Sequence, residues 1–222
     1  MQPDLPAFGD RGEEMRTDIF LAGVGGQGIL SFARVLGVLG LMRKMNVVIG
    51  ETHGMAQRGG SVTATVRYGD VYGSIIGIGK ADLLVGFEPL EAARYARILS
   101  PKGTAIVSTS PIVPYSISAT RGKYPETQDL IGILRNRGNM VIAFDANEIA
   151  EKVKFILTAN SALLGAVAST GKIDAQLEDF RSAIKKTVPR KAKENLAAFD
   201  LGYEIGRKVA EEQKITDSGK KK

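Results

Sequence analysis

Short apolar runs alternate with longer amphipathic stretches, and the spacing of the apolar positions assigns most elements. Residues 17–22 form a compact apolar run closed by glycines, the pattern of a buried strand. Residues 26–44 carry apolar side chains at Ile29, Leu30, Phe32, Ala33, Val35, Leu36, Val38, Leu39, Leu41 and Met42. These surround the predicted helix instead of forming one stripe, so it is expected to be covered on most sides. A second strand is predicted over 46–50 and a polar, glycine-containing loop over 51–60. Residues 61–68 alternate, with Val62, Ala64 and Val66 on one face, and Gly69-Asp70 reads as a hairpin turn into Val71-Tyr72.

The second half continues the alternation. A strand over 81–87 leads to Pro89, a residue suited to a first helical turn, and that helix is expected to run to Leu99 and stop at Pro101 and Gly103. A strand over 104–109, a proline-spaced loop over 110–125, a helix over 126–137 and a strand over 140–144 follow. Asp145 is placed to cap a helix over 145–154. Beyond residue 155 every predicted element is helical: 160–170, 174–187, and a last helix from Pro189 to Gln213. On that helix Ala192, Leu196, Phe199 and Tyr203 share a face, and Gly202 and Gly206 permit close approach of a neighbour. The fold class is therefore α/β: a mostly parallel, mixed sheet covered by helices, Rossmann-like and three-layered, with a helical C-terminal part. The expected organisation is a flexible leader over 1–16, one domain over 17–213 and a disordered basic tail over 214–222.

Composition narrows the chemistry. The formal net charge is +6, but four Lys and one Asp within 214–222 supply +3 of it. Aromatic residues are 6% with no Trp, so no stacking platform for nucleic acid is evident. A membrane-spanning helix needs about 20 apolar residues. The best run, 29–42, is shorter and contains Arg34, and residues 1–15 lack the apolar core of a signal peptide. The protein is read as cytoplasmic, without a nucleic-acid or membrane partner. The chain has no Cys and one His, so it provides no thiolate for an iron–sulfur cluster and no multi-histidine metal site.

Glycine is the strongest signal. It makes up roughly 12% of the chain against about 7% usually, and its clusters lie in the first half. Gly23-Val24-Gly25-Gly26-Gln27-Gly28 follows a strand and opens a helix, and Gly23, Gly25 and Gly28 satisfy the G-x-G-x-x-G spacing of a dinucleotide turn. Such a turn aims backbone N–H groups at an anion. Glu51, after the second strand, is a candidate for the ribose-binding acid, although it follows Gly23 later than that fingerprint expects. A tight structural turn explains the same glycines. The second cluster, Glu51 to Ser61, gathers an acid, the only histidine (His53), Gln57 and Arg58, with Gly59, Gly60 and Ser61 behind them. His53 and Arg58 are candidate contacts for a substrate carboxylate, a phosphate or a partner subunit. No catalytic triad and no Walker A lysine is present. A self-contained NAD-binding dehydrogenase and a ligand-free interaction module are the readings the residues leave open.

Three segments in order, Gly23-Val24-Gly25-Gly26-Gln27-Gly28, His53-Gly54-Met55-Ala56-Gln57-Arg58-Gly59-Gly60-Ser61 and Gly86-Phe87-Glu88-Pro89-Leu90-Glu91-Ala92, resemble the γ-type domain of 2-oxoacid:ferredoxin oxidoreductases. The resemblance spans residues 17–209 and is closest to the β subunit of the indolepyruvate branch; γ subunits of the pyruvate and 2-oxoglutarate branches are the alternatives. It implies a non-cofactor subunit, inactive alone, of an enzyme converting a 2-oxoacid and coenzyme A to an acyl-CoA, carbon dioxide and reduced ferredoxin. It also implies that thiamine diphosphate, its magnesium and the [4Fe-4S] clusters belong to a large partner subunit. The family's thiamine signature is not met here, since Gly69-Asp70 is followed by Val71. On the same resemblance the two glycine clusters, Gly23, Gly25, Gly26, Gln27 and Gly28 with Glu51, Gln57, Arg58, Gly59, Gly60 and Ser61, either bind coenzyme A or border the partner-held thiamine.

Overall fold

The computed structural model describes residues 16–53, 60–112, 123–138 and 140–219. Its centre is a six-stranded sheet in the order β2-β3-β1-β4-β5-β6. The strands are β1 (Thr17–Val24), β2 (Val47–His53), β3 (Ser61–Tyr68), β4 (Ala81–Gly86), β5 (Leu99–Ser108) and β6 (Met140–Phe144). The pairs β1–β4, β4–β5 and β5–β6 are parallel, whereas β3 runs antiparallel to both β1 and β2. The sheet is mixed, as the sequence predicts, but for a different reason. The hairpin is β2–β3, closed by 54–60, and no strand forms at Val71-Tyr72.

Every residue of β1 is buried, as a central strand covered on both faces requires. Ile19, Leu21, Leu83, Val85, Ile106 and Ile142 point to one face, where they meet α1 (Ile29–Met42), α5 (Ala159–Ser169), α6 (Leu177–Thr187) and α7 (Ala192–Gly219). Phe20, Ala22, Leu84, Ala105 and Val107 point to the other, against α2 (Pro89–Arg94) and α3 (Thr127–Arg135). A further helix, α4 (Ala146–Lys152), begins at Asp145, whose carboxylate accepts from the N–H groups of Asn147 at 2.8 Å and Glu148 at 3.1 Å. The predicted capping role of Asp145 is met.

Several boundaries differ from expectation, among them that of β2, which runs on through Glu51 to His53 into the stretch expected to be a loop. The helix expected to reach Leu99 ends at Arg94 and passes through a single 3-10 turn, Ala96–Ile98, into β5. Pro101 and Gly103 therefore lie inside β5, where the register with β4 jumps from Ala81↔Leu99 to Leu83↔Thr104. A bulge of this kind leaves room for a residue that cannot donate to the ladder. The last helix continues past Gln213 to Gly219, so the first residues of the expected tail are helical. Residues 1–15, in the expected leader, lie outside the described residues.

Helix α7 meets α5 almost backbone to backbone. A β-carbon on Gly165 would strike the carbonyl oxygen of Phe199, and one on Gly202 would strike that of Ala162. The close approach predicted from Gly202 and Gly206 is thus to α5, with Gly206 set against Ser169.

Among the described residues no helix lies along β2 and β3 on the second face. The segment 69–80 fills that role, with Ile76 packed into the core beside Phe20. It hangs from a buried ion pair. Arg67 Nε donates to Asp18 Oδ1 at 2.7 Å, and its Nη1 donates to the carbonyls of Gly73 at 2.6 Å and Ile75 at 2.8 Å. Burial alone would raise the Asp18 pKa, but hydrogen bonds from Arg67 and Arg16 outweigh it and hold the carboxyl below its ordinary range. A depressed acid contributes stability above its unfolded pKa and loses it as pH falls. Asp18→Asn is expected to cost about 3 kcal/mol at pH 7 by leaving Arg67 buried without its charge partner. The gap between wild type and variant in urea unfolding should narrow as pH drops below about 4.

Candidate functional site

The first and third sequence segments and the two ends of the second, His53 and Gly60-Ser61, meet at one end of the sheet. Residue Ala22 of β1 is in register with Gly86 of β4, and Val24 with Ser61 of β3. The first glycine turn is therefore flanked by the second segment on one side and the third on the other. Backbone bonds lock the arrangement: Gly25 N–H donates to Gly60 O at 2.8 Å and Phe87 N–H donates to Ala22 O at 2.9 Å. The Gln27 carboxamide spans the gap, with Oε1 accepting from Val24 N–H at 2.7 Å and Nε2 donating to Phe87 O at 2.8 Å. From α5, Asn160 Nδ2 donates to Gln27 O at 2.9 Å.

Gly26 has φ 101° and Gly28 φ 75°, conformations that favour glycine. Gly28 is the N-cap of α1, and no side chain caps that helix and no acid stands in its first turn. A β-carbon on Gly26 would meet nothing within 4 Å, so its backbone faces open space. That space is a cavity of about 380 Å³. Gly26, Gln27, Gly28 and Ser31 form one wall, and Phe32, Val35, Leu163, Leu164 and Ile184 form an apolar bed. It opens at the carboxyl ends of β1, β4 and β5, where open α/β sheets bind ligands. The first N–H groups of α1, with the helix dipole behind them, suit an anion there.

A buried carboxylate cluster lies beside the turn. Glu88, 0% exposed, is the N-cap of α2, and its Oε2 accepts from Glu91 N–H at 2.8 Å. Its other contacts come from Tyr124 OH and Ile112 N–H, which flank the 113–122 segment. Burial raises the Glu88 pKa more than these hydrogen bonds lower it. Burial and the Glu88 carboxylate likewise push Tyr124 well above its ordinary value. Glu91, 2% exposed, accepts from Ser61 Oγ at 2.6 Å and pairs with Arg94 at 3.4 Å. From the sequence this segment reads as a strand end, a helix start at Pro89 and a family motif, without a role for its carboxylates. The signal for more was there, since two glutamates three apart across a Pro at the first helical turn sit on one side of the helix.

Of the residues singled out from the sequence, Gly23, Gly25, Gly26, Gln27, Gly28, Gly60 and Ser61 come together here. Glu51 does not. It lies in edge strand β2 opposite Ala64, with all of β3 between it and β1. Two strand spacings put it about 10 Å to the side of β1. It lines a separate hollow with Leu30, Arg34 and Val38. A ribose-binding acid needs the second strand beside the first, so the NAD reading loses its acid and has no support. His53 ends β2 opposite Val62, which puts its backbone at this end of the sheet. Gln57, Arg58 and Gly59 lie outside the described residues. Among the described residues no group of His, Cys, Asp and Glu is placed to hold a metal.

Two measurements probe this geometry. Gln27→Leu removes both partners of the buried Val24 N–H and Phe87 C=O and is expected to cost about 2–4 kcal/mol in chemical unfolding. Because the folded pKa of Glu88 is raised, the fold binds its proton more tightly than the unfolded chain does, and stability falls as pH rises through that window. The melting temperature of wild type relative to Glu88→Gln is therefore expected to drop from about pH 4.5 upward and then level off.

Residues 18–205 match the family described as pyruvate ferredoxin/flavodoxin oxidoreductase. The chain is 40% identical over 190 residues to indolepyruvate oxidoreductase subunit IorB of Methanothermobacter thermautotrophicus, covering 85% of this chain and 97% of that protein. It is 29% identical over 195 residues to 2-oxoglutarate synthase subunit KorC of Methanothermobacter marburgensis, covering 86% of this chain and 97% of that protein. Among solved structures, the keto/oxoacid ferredoxin oxidoreductase gamma subunit of Geobacter sulfurreducens has the same fold, with a TM-score of 0.65 at 22% identity over 87% of this chain and 98% of that one. The match covers the glycine turn, its flanking segments and the sheet that joins them, and the chain belongs to the pyruvate ferredoxin/flavodoxin oxidoreductase family.

Proposed function

We propose that this chain is the non-cofactor subunit of an indolepyruvate-type 2-oxoacid:ferredoxin oxidoreductase. The complex joins an arylpyruvate to coenzyme A, releases carbon dioxide and passes the two electrons to ferredoxin. The product is an arylacetyl-CoA. The observation that carries the reading is the meeting of Gly60-Ser61 and Phe87 around the glycine turn, in a chain closer in identity to IorB than to KorC.

The chain's own residues do not fit the redox cofactors. It has no cysteine for a cluster. Gly69-Asp70, followed by Val71 where the family's thiamine signature has glycine, comes after Tyr68, which pairs with Thr17 at the far end of the sheet from the glycine turn. Thiamine diphosphate, magnesium and the [4Fe-4S] clusters are assigned to a large partner subunit, which also receives ferredoxin. The glycine turn does fit a phosphate group. Gly26 leaves its backbone open, and the uncapped start of α1 supplies N–H donors, so coenzyme A is assigned to this end with its pyrophosphate on Gly26 and Gly28.

In this reading the 51–61 segment, with His53, Gln57, Arg58, Gly59, Gly60 and Ser61, borders the partner's reaction centre. The side chains of His53 and Arg58 serve the oxoacid carboxylate, a phosphate or the subunit contact. Among the described residues no helix is long and apolar enough to cross a membrane.

The test is ferredoxin reduction dependent on indolepyruvate and coenzyme A, measured with this chain, with the large subunit and with both. Activity is expected only from the pair, and full turnover by this chain alone would overturn the reading. Pyruvate and 2-oxoglutarate are expected to give lower kcat/KM than indolepyruvate. Gly26→Val is expected to raise the KM for coenzyme A roughly 10- to 100-fold, the equivalent of one or two charge-assisted hydrogen bonds.

A further inference from the structure

The sequence offers Ser61 as a contact for coenzyme A or for the partner-held thiamine. In the fold its hydroxyl is already engaged. Ser61 Oγ donates to Glu91 Oε2 at 2.6 Å and lies 3.4 Å from Tyr95 OH. Ser61 does not line the cavity that Gly26, Gln27 and Gly28 face. Glu91, for its part, is 2% exposed, and a buried carboxylate is costly unless it is bonded. Its ion partner Arg94 stands 3.4 Å from Oε1 with a side chain 53% exposed, a geometry that contributes little. The short bond from Ser61 is therefore the contact that satisfies the acid. Helix α2 is capped by Glu88 and opened by Pro89 without it.

The bond reaches the glycine turn through one peptide unit. Gly60 C=O and Ser61 N–H share a plane, so a side chain that fixes Ser61 also directs the Gly60 carbonyl. That carbonyl accepts from Gly25 N–H at 2.8 Å, and Ser61 itself is the last rung of the β1–β3 ladder, opposite Val24. Gly25 and Gln27 donate inward, to Gly60 O and to Val24 O at 3.1 Å, and the amides of Gly26 and Gly28 alternate with them. Thus α2 grips the turn from two sides. Phe87 O, just before the helix, accepts from Gln27 Nε2, and Glu91, within it, holds Ser61.

We propose that Glu91 is a positioning residue for the reaction: through the Ser61 hydroxyl it sets the Gly60–Ser61 peptide that locks Gly25, and so aims the amides of Gly26 and Gly28 at coenzyme A. The inference rests on the functional reading above. It gives Ser61 a supporting role, passing the position of α2 to the turn.

The experiment uses the full chain co-expressed with the large subunit and reads coenzyme A-dependent ferredoxin reduction. It compares wild type with Ser61→Ala, Glu91→Leu, their double variant, Glu91→Gln and Arg94→Ala, and the melting temperature of each complex reports folding. Ser61→Ala and Glu91→Leu are each expected to raise the KM for coenzyme A about 10-fold, the equivalent of one hydrogen bond, with a smaller fall in kcat. The double variant is expected to go no further than either single one, because both remove the same contact. Glu91→Gln keeps an acceptor for Ser61, and Arg94→Ala leaves the Ser61 bond in place; both are expected to stay within about threefold of the wild-type KM. A lowered melting temperature with an unchanged KM in Ser61→Ala overturns the proposal, since the bond then serves folding alone. An additive rise in the double variant overturns it, as does a rise in Arg94→Ala equal to that in Ser61→Ala. If Glu91→Leu does not fold, Ser61→Ala decides alone. If the wild-type complex shows no coenzyme A-dependent turnover, the functional reading falls and takes this one with it; wild-type turnover with a KM insensitive to Ser61→Ala overturns this one alone.

Discussion

Insertion of the antiparallel strand β3 between β1 and β2 governs what stands next to the glycine turn. In an all-parallel arrangement the strand after α1 would pair directly with β1 and carry its acid to the turn. Here β3 takes that place, in register from Thr17↔Tyr68 to Val24↔Ser61. The β2–β3 hairpin then ends beside Gly25, while Glu51 is left on the edge strand. A spacing that fits a dinucleotide fingerprint is thereby put to a different use. Apart from Ser61, which bonds to Glu91 of α2, the same strand leaves its second face to the non-helical 69–80 segment, whose Ile76 packs beside Phe20.

The turn itself is held by few atoms. Gln27 does with one side chain what a second loop would otherwise have to do, joining the end of β1 to the start of α2 through Val24 and Phe87. The carboxylates of Glu88 and Glu91 extend this support outward to Tyr124, Ile112 and Ser61. The open backbone of Gly26 is thus set in a frame of buried, satisfied polar groups, and among the described residues no buried side-chain polar atom lacks a partner. Rigid support of this kind keeps N–H donors aimed before any ligand arrives.

Much of this was legible in the chain. The alternation of apolar runs gave the α/β class, and Met140–Phe144 and Ser61–Tyr68 were delimited as found because their patterns start and stop sharply. Local pattern could not reveal strand order, since whether β2 lies beside β1 depends on pairing across the sheet. The Gly69-Asp70 pair looked like a hairpin turn, but Arg67 captures the carbonyls of Gly73 and Ile75 and draws the segment across the sheet instead of letting it pair. Pro101 looked like a stop because the bulge that tolerates it is a property of two strands together. The cluster around Glu88 was invisible for a similar reason: its partners come from Ile112 and Tyr124, far along the chain.

The single bond from Gly25 N–H to Gly60 O has a mechanical meaning. It joins Gly60, where the chain enters β3, to the turn that opens α1, just beyond the last rung of the β1–β3 ladder at Val24↔Ser61. The amides of the turn and the entry to β3 are therefore one hydrogen-bonded unit, and an anion held by the first bears on the position of the second through backbone alone.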